Sequence, residues 1–187
     1  MKTALLVIDY INDIVDLNGK IPSCAEYVEK NGIINNVNTA LSRARDKSYL
    51  VIHVKVAFNR NYLAAGDKSP IFVGAKNANA LIYGTWGTQF HKDLNVREDE
   101  IVVIKHRISA IYGTDLDVYL RANEIERILI AGVSTNMAVE LTAREAHDRN
   151  YVVEIIEDAC GSYNKEMHDF SIKVLSNLAK ITMSKDI

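Results

Sequence analysis

The sequence predicts an α/β fold, a three-layer α/β/α sandwich around a mostly parallel sheet of six strands. Short segments that are apolar almost throughout alternate with longer segments in which apolar residues recur every three or four positions. Fully apolar strands are typical of a parallel sheet covered on both faces, and right-handed crossovers then place helices on either side. A chain of 187 residues is long enough for one such domain, and we expect a single domain over residues 1–187.

Three strands are predicted in the first part of the chain. Ala4–Ile8 is the first strand, Tyr49–Phe58 the second and Ile101–Lys105 the third. A helix is predicted over Ile33–Lys47, because its apolar residues fall on one face: Ile33, Val37, Ala40, Leu41 and Ala44.

The remaining part of the chain alternates helix and strand more regularly. The predicted segments are, in order, a short helix Asp115–Asn123, a fourth strand Arg127–Val133, a helix Asn136–Asp148, a fifth strand Tyr151–Ile156, a helix Lys165–Leu178 and an edge strand Lys180–Met183. No internal repeat, low-complexity tract or linker interrupts this alternation, which favours a continuous domain.

The segment Asn59–Glu100 is predicted to be irregular, because it is rich in glycine and lacks a clear apolar period. Loops of this length in compact domains are usually lids or binding loops, although a mobile surface loop without a function is the alternative. The only tryptophan, Trp86, lies between Gly84 and Gly87. We interpret Trp86 as part of a pocket wall or of a subunit contact.

Composition excludes several classes of function. Hydrophobic residues make up 48% of the chain and charged residues 25%, as in globular proteins. The net charge of −2 gives no electrostatic reason to expect a nucleic-acid partner, and no apolar run has the length of a membrane span. With only two cysteines, Cys24 and Cys160, the chain needs no disulfide, and we expect a cytoplasmic protein.

Three features are predicted to meet at one edge of the sheet. Asp9 directly follows the first strand, Lys105 ends the third, and Ala138 lies in the first turn of the helix after the fourth. Ligands of parallel sheets bind beyond the carboxyl ends of the strands, where free helical N–H groups attract an anion or a carbonyl oxygen. Each feature has an ordinary alternative: a solvated strand end or a helix cap for the charges, and simple packing for the alanine.

Four blocks of sequence carry a resemblance to a known family. They are LLVIDY at 5–10 followed by Asn12 and Asp13, KHRISAIYGTDL at 105–116, GVSTNMAVE at 132–140 and EDAC at 157–160. In order and spacing these blocks resemble the isochorismatase-like (cysteine hydrolase) superfamily over nearly the whole chain. The resemblance implies a Rossmann-like fold and a homo-oligomer in which neighbouring subunits help to close each pocket.

The resemblance also implies a catalytic Asp–Lys–Cys triad. Asp9 would be the acid/base and Lys105 its partner, whereas Ala138 stands at the position of the nucleophilic cysteine. A cis peptide before Ser134 would direct a backbone N–H into an oxyanion hole. An alanine cannot attack a substrate, so the expected chemistry differs from that of the cysteine hydrolases.

Further departures from the family pattern concern metals and thiols. Many members carry a glutamine where this chain has Ile11. The Asp and two His ligands of the metal-binding branch are not matched, since His53 lies within a strand and His91 has no partner at ligand spacing, so we expect no metal and no cofactor. Cys24 and Cys160 lie in other parts of the chain and are not expected to replace the missing nucleophile.

Three functions remain open at this point. The first is a thiol-independent hydrolase of a small molecule, such as an isochorismate-like vinyl ether, in which Asp9 is a general acid. The second is an amidase-type cysteine hydrolase whose nucleophile is replaced by Ala138. The third is a homologue that binds a small molecule without chemistry, or an oligomeric scaffold. For the first, burial would raise the pKa of Asp9 while Lys105 would lower it, and the sequence does not decide between them.

Several other residues are candidates for the site. A substrate-binding wall is predicted from six residues, Ser134, Met137, Phe58, Trp86, Ile111 and Tyr112, with core or interface packing as the alternative for the apolar ones. His106 and Arg107 are either ligands of a substrate carboxylate or solvated residues at a strand end. His147 and His168 lie in predicted helices and are expected on the surface.

Overall fold

The computed structural model describes all residues, 1–187, and six strands form one sheet in which every neighbouring pair is parallel. In chain order the strands are β1 (Thr3–Ile8), β2 (Leu50–Val56), β3 (Ile101–Lys105), β4 (Arg127–Val133), β5 (Val152–Gly161) and β6 (Lys180–Thr182). Their spatial order is β3-β2-β1-β4-β5-β6. The predicted α/β fold with a six-stranded sheet is confirmed.

Seven α-helices flank the sheet. They are α1 (Asn12–Val15), α2 (Ala25–Lys30), α3 (Ile33–Asp46), α4 (Pro70–Asn77), α5 (Leu116–Ala122), α6 (Glu140–Asp148) and α7 (Lys165–Leu175). The four predicted helices correspond to α3, α5, α6 and α7. None of the seven combines the length and the apolar character that crossing a lipid bilayer requires.

The segment predicted to be irregular contains a helix, and that prediction is wrong in this respect. Within Asn59–Glu100, α4 begins at Pro70, whose fixed φ angle and missing N–H suit the first helical turn. The helix buries Phe72 and Ala75, and a short 3₁₀ turn follows at Trp86–Thr88. Only two residues of this eight-residue helix are buried, so its apolar residues do not form a periodic pattern that the sequence displays clearly.

Strand β5 also extends beyond its predicted end at Ile156. After an irregularity in the pairing of β4 with β5, Gly132 pairs with Cys160 and Val133 with Gly161. In the sequence, the polar residues Glu157 and Asp158 after Ile156 indicate the end of a strand. The backbone nevertheless continues along β4 as far as the residues that precede the next turn.

Side chains of the central strand alternate between two cores. Leu5 and Val7 belong to the core beneath α2 and α3, whereas Leu6 and Ile8 belong to the core shared with α5 and α6. All four are fully buried, and each contributes about 1.5–3 kcal/mol through removal of apolar surface from water. A third, smaller cluster lies under α4. Strand β1 is therefore apolar on both faces, as the sequence indicates.

The strand order creates a crevice at the carboxyl ends of β1 and β4. The chain runs outward from β1 through β2 to β3, and then returns across the sheet to β4 on the other side of β1. Such a switch point is where open α/β sheets bind their ligands. Gly132 allows the close approach of the two strands, because a Cβ at this position would lie 2.9 Å from Cβ of Ile8.

Candidate active site

Asp9 is held rigidly at the end of β1. Its φ angle is +62°, a left-handed conformation that aspartate tolerates better than most residues. The Asp9 N–H donates to the carbonyl of Val54 at 2.8 Å, and its Oδ1 accepts from the amide of Val56 at 2.7 Å. Strand β2 thus orients the carboxylate toward the crevice.

Lys105 reaches Asp9 across the width of β2. Its Nζ lies 2.8 Å from Oδ2 of Asp9 and donates to the carbonyl of Ile108 at 2.7 Å. Only 2% of the Lys105 side chain and 4% of the Asp9 side chain are exposed. The structure therefore brings together the two charged residues that the sequence placed at the ends of separate strands.

Burial and pairing act in opposite directions on Asp9. Burial raises the pKa of the Asp9 carboxyl, while the Lys105 ammonium and the Val56 amide lower it, and the effect of burial prevails. The pKa of Asp9 therefore lies above its ordinary value in spite of a lysine in contact. A carboxyl with a raised pKa is better suited than an exposed one to carry a proton for transfer.

Ala138 lies on the opposite side of the crevice, within a π-helical turn over Thr135–Val139 that precedes α6. The Val133–Ser134 peptide is cis, as the family resemblance implies. The turn is held by side chains on both flanks, since Thr135 Oγ1 lies 2.9 Å from Nδ1 of His168 on α7. Asn136 accepts from Ser162 on the other flank at 2.6 Å.

His168 is buried, so the expectation of a surface residue is wrong. Its ring packs 5.6 Å from that of Tyr27 and contacts the turn through Thr135. Burial lowers the pKa of His168. His147, the other helical histidine, is exposed as expected.

A cavity of about 420 Å³ opens between Asp9, Lys105 and Ala138. Most of its lining is apolar and comes from the segment after β1, from α4 and from the segment after β3; these residues are Ile14, Ile21, Val56, Pro70, Ile71, Phe72, Ala75, Leu81, Ile108, Val133, Met137 and Ala138. Its polar groups are few, and a small, largely apolar molecule fits a cavity of this size and character.

Two of the six predicted wall residues, Ser134 and Met137, line this cavity. The other four lie elsewhere, which corrects the predicted wall. Phe58 is fully buried, with its ring 5.4 Å from that of Phe72, and Ile111 belongs to the core beneath α5. Both are apolar residues just beyond a strand end, where the sequence does not distinguish core from cavity.

Trp86 and Tyr112 are both exposed rather than in the cavity. Trp86 lies on the 3₁₀ turn with 47% of its surface exposed, and its carbonyl accepts from the Asn12 side chain at 2.9 Å. Tyr112 is 62% exposed and lies on a neighbouring groove. The glycines on either side of Trp86 therefore belong to a turn at the surface and not to a cavity wall.

The sequence reasoning missed the contribution of α4 and the role of Asp13. The signal for α4 was Ser69-Pro70 followed by apolar residues, a common helix start. Asp13 is buried, and its Oδ2 accepts from the amide of Leu81 at 2.7 Å. It fastens a wall segment to α1, and Gly87 packs so closely on it that a Cβ would lie 2.2 Å from Oδ2.

Cys24 lines the cavity but is poorly suited to attack. Burial raises the pKa of its thiol to about 11, so the thiol stays protonated near neutral pH. Cys160 is buried in the core, and burial raises its pKa to about 12. Neither cysteine contributes a reactive thiolate to the crevice.

No group of three or more His, Cys, Asp or Glu side chains is arranged to hold a metal ion. His53 lies 2.8 Å from Glu100, and His91 lies near Asp16 and Asp93. His53 and His91 thus have carboxylate neighbours in separate places, and neither lines the cavity.

Comparison with known proteins agrees with this fold. An isochorismatase domain matches residues 3–186. An uncharacterized isochorismatase family protein of Escherichia coli O157:H7, YecD, is 32% identical over 186 residues, which cover 99% of this chain and 94% of that protein. The ureidoacrylate amidohydrolase RutB of Acinetobacter baylyi is 28% identical over 185 residues, covering 91% and 76%.

Solved structures give the same result. An isochorismatase-like hydrolase from Alkaliphilus metalliredigens superposes with a TM-score of 0.79 at 29% identity, covering 98% of this chain and 95% of that one. N-carbamoylsarcosine amidase from Thermoplasma acidophilum shares the fold with a TM-score of 0.78 at 24% identity, covering 100% and 99%. This chain therefore belongs to the isochorismatase family of small-molecule hydrolases.

Proposed function

We propose that this protein is a thiol-independent hydrolase in which Asp9 is the general acid and Lys105 its partner. The observation that carries the proposal is the buried 2.8 Å contact of Asp9 with Lys105, facing a cavity in which Ala138 offers only a methyl group. Covalent acyl transfer needs a nucleophile, and none is present at position 138. Proton transfer from a carboxyl with a raised pKa needs no thiol.

A vinyl ether of the isochorismate type is the substrate class that this chemistry fits. Asp9 would protonate the terminal alkene carbon, which leaves an oxocarbenium ion and an Asp9 carboxylate beside Lys105. Water would add to the cationic carbon and return a proton to Asp9. The resulting hemiketal would collapse to a ketone and an alcohol, so that one water is consumed and the acid is regenerated.

The proposal is tested by measuring pyruvate released from isochorismate, with lactate dehydrogenase as the coupling enzyme. We expect turnover by the protein, and a loss in kcat/KM of about 10²- to 10⁴-fold in Asp9→Asn, as for the removal of other general acids. Asp148→Asn, which changes an exposed carboxylate that lines neither the cavity nor the adjoining groove, is the matched control and should keep the activity. Wild-type turnover that Asp9→Asn leaves unchanged, or no pyruvate from the wild type, would contradict the proposal.

A second candidate function is supported by the amidohydrolase relatives. Ala138 lines the same cavity as Asp9 and Lys105, at the position where the family resemblance implies a cysteine. The test is Ala138→Cys, assayed for ammonia release from ureidoacrylate and nicotinamide. Under our proposal this variant hydrolyses neither amide faster than Ala138→Ser does. A gain of more than about 100-fold over Ala138→Ser, lost again on adding Asp9→Asn, would instead favour the cysteine-hydrolase function.

We further propose that the protein acts in the cytoplasm as a homo-oligomer without a cofactor. Two free, buried cysteines suit a reducing compartment, and exposed aromatic residues such as Tyr83 and Trp86 suit a subunit contact. Light scattering after gel filtration measures the subunit number. A monomer at micromolar concentration would contradict the proposed assembly.

A further inference from the structure

Arg107 occupies the boundary between the catalytic cavity and an adjoining groove. The cavity and the groove share only Phe72, Arg107 and Ile108 among their lining residues. Arg107 is exposed and follows Lys105 by two positions, on the segment that leaves β3. A ligand that reaches Asp9 through the groove therefore passes this guanidinium.

The guanidinium of Arg107 is held in place by hydrogen bonds from only one of its three nitrogens. Its Nη1 donates to the carbonyl of Ala64 at 2.5 Å and to that of His106 at 2.7 Å. Its Nε and Nη2 make no hydrogen bond within the protein, and no carboxylate lies within ion-pair distance, in contrast to Arg45, Arg127, Arg144 and Arg149. A planar fork that is held on one side and free on the other is suited to a carboxylate ligand.

The acidic residues of the groove do not compete for Arg107, because each has its own partner. Glu145 is bound by Arg149 at 2.7 Å and by the hydroxyl of Ser109. Asp67 pairs with Lys76 at 3.1 Å. The free donors of Arg107 are therefore left for a ligand.

Charge balance in the cavity favours an anion. Apart from the Asp9–Lys105 pair, Arg107 is the one charged residue of the cavity lining. Asp9 is the only acidic side chain of the lining, so no carboxylate of the cavity is left to pair with Arg107.

We infer that Arg107 binds the carboxylate of a small anionic substrate whose apolar body fills the cavity, which makes Arg107 a specificity-determining residue. This inference rests on the proposed function only in assuming that the substrate occupies the Asp9 cavity. A neutral amide of the same shape is bound less well, because it lacks the charge-assisted pair of hydrogen bonds.

The test is calorimetric titration with benzoate and its neutral analogue benzamide as probes. We expect the wild type to bind benzoate about 10-fold more tightly than benzamide, as the charge-assisted hydrogen bonds imply. Arg107→Met, which keeps an apolar stem, should abolish the preference over benzamide, and Arg107→Lys should restore part of it. Lys68→Met is the matched control, since it removes another cation of the groove, and it should keep the full preference.

These outcomes separate the inference from the proposed function. Asp9→Asn abolishes turnover under the proposed function, yet the dependence of the benzoate preference on Arg107 should persist in that background. A preference that survives in Arg107→Met, or no preference for benzoate in the wild type, would overturn the role of Arg107 even if isochorismate is hydrolysed. Thermal unfolding of each variant verifies that the fold is retained.

Discussion

Two carboxylates of this protein, the buried Asp9 and the half-buried Glu100, have opposite properties. Glu100, just before β3, accepts two bonds from Arg45 at 2.8 and 2.9 Å, one from His53 at 2.8 Å and one from the amide of Arg97 at 3.1 Å. Asp9 accepts from only Val56 and Lys105. The donors around Glu100 lower its pKa to about 2, whereas burial raises the pKa of Asp9.

The opposite pKa shifts distinguish a carboxylate in a structural ion pair, Glu100, from one in a candidate active site, Asp9. Glu100 is saturated by donors on every side, so it remains ionised and ties α3 to β2 and β3. Asp9 has fewer donors and borders a cavity, so its charged form is less stabilised, and under our proposal it exchanges a proton with a ligand there. Glu100 and Asp9 each contact a cationic side chain. Their roles differ because Glu100 has more hydrogen-bond donors around it, whereas Asp9 borders a cavity.

The largest expected effects come from removing the cation of each pair. Lys105→Met should lower turnover of isochorismate by about 100-fold or more, because Asp9 loses the group that orients it and stabilises its carboxylate. Arg45→Met should leave turnover within about twofold of the wild type, since it lies far from the cavity lining, and should cost about 3 kcal/mol of unfolding free energy. Steady-state kinetics and urea denaturation measure the two quantities, and the reverse pattern would refute the distinction.

The next largest effect is the loss of the stabilisation by Glu100 at acidic pH. The pKa of Glu100 falls from 4.5 to about 2 on folding, so its contribution is present above pH 4.5 and is lost as the pH falls toward 2. Glu100→Gln should therefore destabilise the protein by about 2 kcal/mol near pH 7 and by much less near pH 3. Urea midpoints of both proteins at the two pH values test this, and a difference independent of pH would contradict it.

The smallest effect is expected from the two buried histidines. Burial lowers the pKa of His53 and of His168, so the unfolded chain binds protons more readily than the folded one below about pH 6.5. Stability should therefore decrease as the pH falls through this range. His168→Gln, which keeps a polar group near Thr135, should reduce that slope without removing it, as thermal unfolding between pH 5 and pH 8 can show.

Sequence reasoning recovered most of the fold because apolar periodicity is a local property. All six strands and four of the seven helices follow from runs of Val, Ile, Leu and Ala that the chain displays directly. Helix α4 was missed because eight residues with few buried contacts resemble a loop. The extension of β5 was missed because it depends on renewed pairing with Gly132 and Val133, which are distant in sequence.

The meeting of Asp9 and Lys105 and the alanine at position 138 could be anticipated from the sequence alone, because the carboxyl ends of parallel strands share one edge of the sheet. Only the tertiary structure decided that burial outweighs the lysine in setting the pKa of Asp9. Only the structure, likewise, could place Phe58 in the core and Arg107 at the cavity's mouth. The physical reason is that the positions of strands along the chain follow from local pattern, whereas desolvation and cavity shape arise from side chains that many distant segments pack together.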